Sequence, residues 1–326
     1  MRIIGIVLIS IVVFVIRPYT YTGSRIVLQG NPGGGNNRNQ PDAGIPANGQ
    51  DLQGLGTSRG ARGTNGVSSQ LPSIDGVTEV SKGIFRISDP RPMARVADLL
   101  QRKLGVPISY EEEVLKYAGD LIRISQLPGN REELARNPGW VGLLVPRMGT
   151  IDLNLPGELL SGMARVLLRQ ALDSHTRYRN SGEFKLLDLG DYGWSIVMDR
   201  ISDETGRVVQ VTPTLDLIVS FPEKERTLGE TIALLSDAAV AAGKSAFVIG
   251  GPVDYHYDNR RVTIGAQNES ARMVLARAYR QSSSIKTAWS FTTLPGGFVG
   301  LTDRVVRVER SNSNGVVNLE NVTWSR

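Results

Sequence analysis

Hydrophobic and polar positions divide the chain into three regimes. Residues Ile3 to Ile16 form an uncharged apolar run. Residues 23 to 80 contain no aromatic side chain, and eleven glycines fall between Gly30 and Gly66. From Gly83 onward, apolar residues recur at helical and strand spacings. The chain therefore reads as residues 1–22, a signal peptide or membrane anchor; 23–80, a Gly/Asn-rich linker; and a folded part beyond about residue 80.

In the folded part, Gly83–Ser88 predicts a strand. Pro90 and Pro92 open a helix whose stripe is Met93, Val96, Leu99, Leu100 and Leu104, closed by Gly105. Val106–Tyr110 predicts a short strand. A polar stretch follows, with turn signals at Pro128–Asn130 and Asn137–Gly139, then a strand near Thr150–Leu155. A second helix is expected after Pro156, with Leu159, Leu160, Met163, Val166 and Leu167 on one side. Phe184–Leu189 and Gly193–Met198 predict a hairpin.

The second half repeats this order. Leu215–Phe221 predicts a strand, and Pro222 and Thr227 lead into a helix bearing Leu228, Ile232, Leu235 and Ala239, with Gly243 at its C-cap. Ala246–Gly250 and Val262–Ala266 predict strands. Asn268 is the expected cap of a helix bearing Ala271, Val274, Leu275 and Ala278. Thr287–Leu294 and Phe298–Thr302 predict a hairpin around Pro295-Gly296-Gly297. After Arg310 a Ser/Asn-rich tail is expected to fray, with Val316, Val317 and Val322 able to add a short edge strand. The expected class is α+β: two tandem β-α-β-β-α-β-β modules with helices packed on small sheets. They cover residues 81–205, with an insertion at 111–149, and residues 206–310, followed by a tail at 311–326.

The apolar run and the linker change the picture from a soluble domain to a tethered one. Fourteen helical residues reach ~21 Å, short of the ~30 Å hydrocarbon core, which suits a signal-peptide core behind Arg2. No A-x-A site follows, and Arg17, Tyr19 and Tyr21 suit an uncleaved interfacial anchor equally. Both readings place the folded part outside the cytosol. The linker lacks the large apolar side chains that would offset the entropy of ordering it, and ~55 such residues span ~40 Å on average.

Composition then narrows the function classes. The absence of cysteine excludes disulfides, thiolate metal sites and cysteine nucleophiles. The net charge of +5 arises from arginines scattered among acids, without the basic stripe and interleaved aromatics of a nucleic-acid binder. No nucleic-acid partner is expected.

The segment TLGETIALLSDAAVAAGKSAFVIGG, followed by VTIGAQNESARMVLARAYRQSSSIKTAWSF, resembles the short N-terminal domain shared by secretins and TonB-dependent receptors. Leu228, Ile232, Leu235 and Gly243 match the first part of that pattern, and Val262, Ala271, Val274 and Leu275 the second. PRPMARVADLLQRKLGVPISYE is a looser copy. The resemblance implies a periplasmic α/β module that contacts other envelope proteins, either in a ring or with an energy-coupling or signalling partner. No secretin pore or receptor barrel follows within these residues, so a stand-alone envelope protein using the fold is expected.

Candidate chemistry is sparse. His175 falls at a helix end, an ordinary place for histidine. His256 is flanked by Asp254 and Asp258, which offers a single imidazole at unspecific spacing for a metal. Gly243-Lys244-Ser245 imitates the end of a phosphate loop, but Ala238 stands where the earlier glycine belongs, and the segment follows a helix. Gly33-Gly34-Gly35 has no strand before it and no GK[ST] after it. Glu111-Glu112-Glu113 reads as a solvated loop. No catalytic, cofactor-binding or metal residue is assigned, and no cofactor or small molecule is expected. The expected function is protein binding or assembly at the bacterial envelope, through self-association or other envelope proteins and with the membrane engaged by residues 3–16. An exported hydrolase or a sensor with an unrecognised site is the alternative. In the sensor reading, the insertion from Glu111 to Gly149 is a ligand loop, partly packed by Trp140, Val141, Leu143 and Leu144.

Overall fold

The structure, a computed structural model, describes residues 76–127, 131–249, 259–293, 299–312 and 316–324. The apolar run 3–16, the linker up to residue 75, the Asp254/His256/Asp258 loop and the two turns at 128–130 and 295–297 lie outside those residues. No helix among the described residues is long and apolar enough to cross a membrane.

The first half opens with β1 (Val77–Ser81) and β2 (Ile84–Asp89), followed by α1 (Pro92–Leu104). Pro92 occupies the first turn, where its missing N–H leaves no bond unmade. Met93, Val96, Leu99, Leu100 and Leu104 are all buried, as their spacing predicts. Gly105 ends the helix in the left-handed conformation, φ 64°, and its N–H donates to Gln101 O. Next is β3 (Ile108–Glu111), buried along its whole length.

The insertion that follows carries its own structure. Strands β4 (Leu121–Arg123) and β5 (Leu144–Pro146) pair antiparallel, with α2 (Arg131–Arg136) between them in sequence. Ile124, Trp140 and Val145 bury each other in a small separate cluster. Val141 and Leu144 remain exposed.

The half closes with β6 (Gly149–Asn154), α3 (Ala164–Arg177), β7 (Glu183–Asp188), β8 (Trp194–Ser202) and β9 (Val208–Gln210). The second helix begins at Ala164, well after Pro156, and its phase differs from the expected one. Ala164, Leu167, Leu168 and Ala171 form the buried stripe, whereas Leu160 and Val166 are 60% and 64% exposed. Gly157 and Gly162 weaken helix formation across 156–163, so Leu159 and Leu160 precede the helix and cannot set its face.

The second half contains β10 (Ile218–Thr227), α4 (Leu228–Ala241), β11 (Phe247–Ile249), β12 (Arg261–Ser270), α5 (Ala271–Ser282), β13 (Thr287–Thr293) and β14 (Val299–Val305). Thr227 caps α4 in a reciprocal box with Glu230. Leu215 sits in a 3-10 turn, so the strand begins later than expected, at Ile218. That strand then runs through Pro222, where its pairing with β12 shifts register. A bulge is one of the few strand positions that tolerates a residue with no N–H. Asn268 does not cap α5. It lies in β12 with φ 52°, and Ser270 is the cap, accepting Met273 N–H. Both residues suit capping, but the pairing of β12 with β10 extends through Ser270 and delays the helix.

The described part of the tail is ordered by pairing. Strands β15 (Arg307–Ser311) and β16 (Val317–Asn321) form an antiparallel pair. Val308 and Val322 pack against Gly105 at the end of α1, and Lys103 pairs with Glu309 at 2.7 Å.

One mixed sheet joins the halves, in the order β7-β8-β3-β13-β14-β11, with β9 also on β8. β3 runs parallel to both β8 and β13. Strand alternation gives the sheet two different faces. Ile108, Tyr110 and Ile196 point into the cluster formed with α1 and α3, while Trp289, Phe291 and Leu301 point into the cluster formed with α4 and α5. The remaining strands form small sheets, β1-β2-β6, β10-β12, β4-β5 and β15-β16, and the fold is α+β. In the first half β2 pairs antiparallel with β6, β3 parallel with β8, and β7 antiparallel with β8. In the second half β10–β12, β11–β14 and β13–β14 pair in the same three senses.

Candidate functional site

The densest polar cluster forms where β3 ends, at Glu111-Glu112-Glu113. The expected solvated loop is not what the structure contains. Glu111 and Glu112 are each only 3% exposed. Burial of adjacent carboxylates is tolerable because alternation along the strand sends them to opposite faces, where each meets its own donors.

Glu111 faces α5. Arg272 donates from Nε at 2.8 Å and from Nη2 at 2.5 Å, Ser195 Oγ at 2.8 Å and Trp289 Nε1 at 3.1 Å. Arg272 also pairs with Asp216, which in turn accepts from Lys185. Burial pulls the Arg272 guanidinium down, but Glu111 and Asp216 outweigh it and hold the group above its usual range. Glu112 faces α1. Arg91 Nε sits 2.9 Å from both its oxygens, Tyr110 OH donates at 2.9 Å, and the Thr293 N–H donates at 2.6 Å. Burial, then the neighbouring Glu112 charge, drive the Tyr110 phenol well above its ordinary value. Glu113 accepts the Thr214 N–H at 2.6 Å, and burial raises its carboxyl. All three glutamates of this run thus bind groups of the second half.

Beside this cluster lies a groove of about 280 Å³. Glu113, Val114 and Leu115, just beyond β3, and Thr293, at the end of β13, line one side of it. Leu143 and Leu144 of the insertion line the other. The Thr293 Oγ1 is buried with no hydrogen-bond partner. On the other side of Glu112 lies a small cavity of about 20 Å³, bordered by Arg91, Tyr110 and His175, with room for about one water molecule.

His175 lies in the last turn of α3, buried, with its ring edge-on to Phe184 at 5.1 Å. Burial lowers its pKa to about 4, so the imidazole is neutral at physiological pH. Gly243 follows α4 at φ 75° and Lys244 Nζ donates to Thr212 O, so this segment closes a helix. Among the described residues, no group of three or more His, Asp or Glu side chains could hold a metal ion.

Sequence reasoning missed Arg91, Tyr110, Arg272 and Thr293 as partners of the glutamate run. Part of the signal was available: Val106–Tyr110 reads as a buried strand, and extending it by one residue carries Glu111 into the interior. Which arginine answers it depends on a contact 161 positions away.

The chain matches no protein-family model, no curated protein and no solved structure.

Proposed function

We propose that this chain is an exported or membrane-anchored protein of the bacterial envelope, held by residues 3–16, and that its folded part binds other proteins or copies of itself. In this reading residues 81–205 and 206–310 are tandem, divergent modules related to the secretin/TonB short N-terminal domain. Their task is binding rather than catalysis. The observation that carries the reading is the recurrence of one pairing scheme, antiparallel, parallel, antiparallel, in both halves. The recurring apolar spacing supports it independently.

The central sheet offers a means of binding. Among the described residues, its outer strands β7 and β11 pair on one side only, with β8 and β14. Backbone N–H and C=O groups on such an edge can accept a partner strand. The test is light scattering of residues 78–326 over a concentration series. A ring-sized or concentration-dependent oligomer supports assembly, whereas a strict monomer eliminates self-assembly and leaves a one-to-one partner.

A further inference from the structure

We infer that the groove between the insertion and the end of the central sheet binds a small organic amine, a cationic nitrogen carried on an aliphatic or aromatic body. This goes beyond the assembly role, since it assigns the chain a small ligand.

The groove is preformed. One wall is the β4–β5 pair, which carries its own buried cluster of Ile124, Trp140 and Val145. At about 280 Å³, the space lies at the lower end of the roughly 300–1,000 Å³ range of ligand sites. Val114, Leu115, Leu143 and Leu144 supply apolar surface that favours an apolar body over water. Leu144, 51% exposed, forms the rim.

The polar groups select the sign of the charge. The described residues lining the groove include two glutamates and no Lys, Arg or His. Glu112 is neutralised by Arg91 and holds the Tyr110 hydroxyl and the Thr293 N–H. Glu113 is held by Thr214 alone among the hydrogen bonds described, and its partly buried charge has only the more distant field of Lys244, whose Nζ donates to Thr212 O. A bound ammonium places a counter-charge beside Glu113 in a site where water screens poorly. A zwitterion is disfavoured, because its carboxylate would meet glutamates. A metal ion is disfavoured as well, because the walls are aliphatic and hard cations require several oxygen ligands.

The test titrates the full chain with hexylamine, hexanol and norleucine at neutral pH, following leucine and valine methyl NMR signals. Saturable shifts at Val114, Leu143 and Leu144 are expected with hexylamine, and weaker ones with the alcohol and the amino acid. Glu113→Gln keeps an oxygen for the Thr214 N–H, so the fold is retained. It should weaken hexylamine on the order of tenfold or more while leaving hexanol unchanged. Leu144→Trp, at an exposed position, should block the groove. The proposal is overturned if hexylamine does not saturate these signals, if hexanol binds as well, or if Glu113→Gln binds hexylamine like the unmodified chain.

Discussion

Arg272, at the start of α5, reaches Glu111, at the end of β3, with Nε and Nη2 at 2.8 and 2.5 Å, although the two residues lie in different halves of the chain. The side chains are 3% and 4% exposed. Removing one member of such a pair strands a buried charge. Arg272→Met should therefore destabilise the fold by about 3–5 kcal/mol. Glu111→Gln should lose less, since Arg272 keeps Asp216 and the amide oxygen can still accept from Ser195 and Trp289. Urea unfolding of both single variants and the double variant measures the coupling. Strictly additive losses would mean that the pair does not tie the halves together.

His175 sets a pH dependence with a definite sign. Its folded pKa is about 4, against about 6.5 when unfolded. As pH falls through that window, the unfolded chain takes up a proton that the folded chain refuses, so stability drops. The full shift corresponds to about 3 kcal/mol. Glu113 acts in the opposite sense. Its raised folded pKa favours folding below its unfolded value, and that advantage is lost as pH rises through the folded value. Urea midpoints at pH 7 and 5 should therefore fall steeply for the parent chain and less for His175→Leu. Glu113→Gln should equal or exceed the parent at pH 7.

The sequence pattern is a good guide where local periodicity and tertiary burial agree. Met93 to Leu104 in α1 and Leu228 to Ala239 in α4 were legible because one apolar stripe serves one core. The pattern misleads where apolar residues outnumber buried positions. Leu160 and Val166 extend the stripe of α3 on paper, yet Leu160 precedes the helix and Val166 lies on its solvent-facing side. The candidate site was the least legible part. Charge alone assigned Glu111 and Glu112 to solvent, because their donors come from the residue before α1, from α5, β8 and β13, and only folding brings those together. The groove has no sequence signature either, since Val114 and Leu144 meet Thr293 only after β3 and β13 pair.

Two glycines of the β7–β8 connection separate backbone strain from steric exclusion. Gly190 and Gly193 adopt φ 61° and 92°. A Cβ on Gly190 would meet open space, so Gly190→Ala should lose about 1 kcal/mol, the ordinary penalty of the left-handed region. A Cβ on Gly193 would lie 2.2 Å from Pro107 O, the acceptor of the Trp194 N–H that starts the β3–β8 ladder. Gly193→Ala should add a backbone displacement to strain of about 1–3 kcal/mol. Thermal unfolding of the two variants should differ clearly, with Gly193→Ala the less stable. Equal losses would show that the connection yields without disturbing β3.

Trp140 tests whether the insertion is a unit of its own. It packs with Ile124 and Val145, apart from the two larger clusters. Truncating a buried tryptophan to alanine removes about 3–5 kcal/mol, more than so small a cluster can spare. The loss should appear locally, because separately packed segments open without global unfolding. In Trp140→Ala, amide exchange at Ile124, which donates to Leu143 O, should accelerate, while amides in β3, β8 and β13 keep their protection. Hexylamine binding should fall with it, since Leu143 and Leu144 form one wall of the groove. If exchange in β3 accelerates equally, the insertion is part of the central unit, and the groove wall cannot move without the sheet.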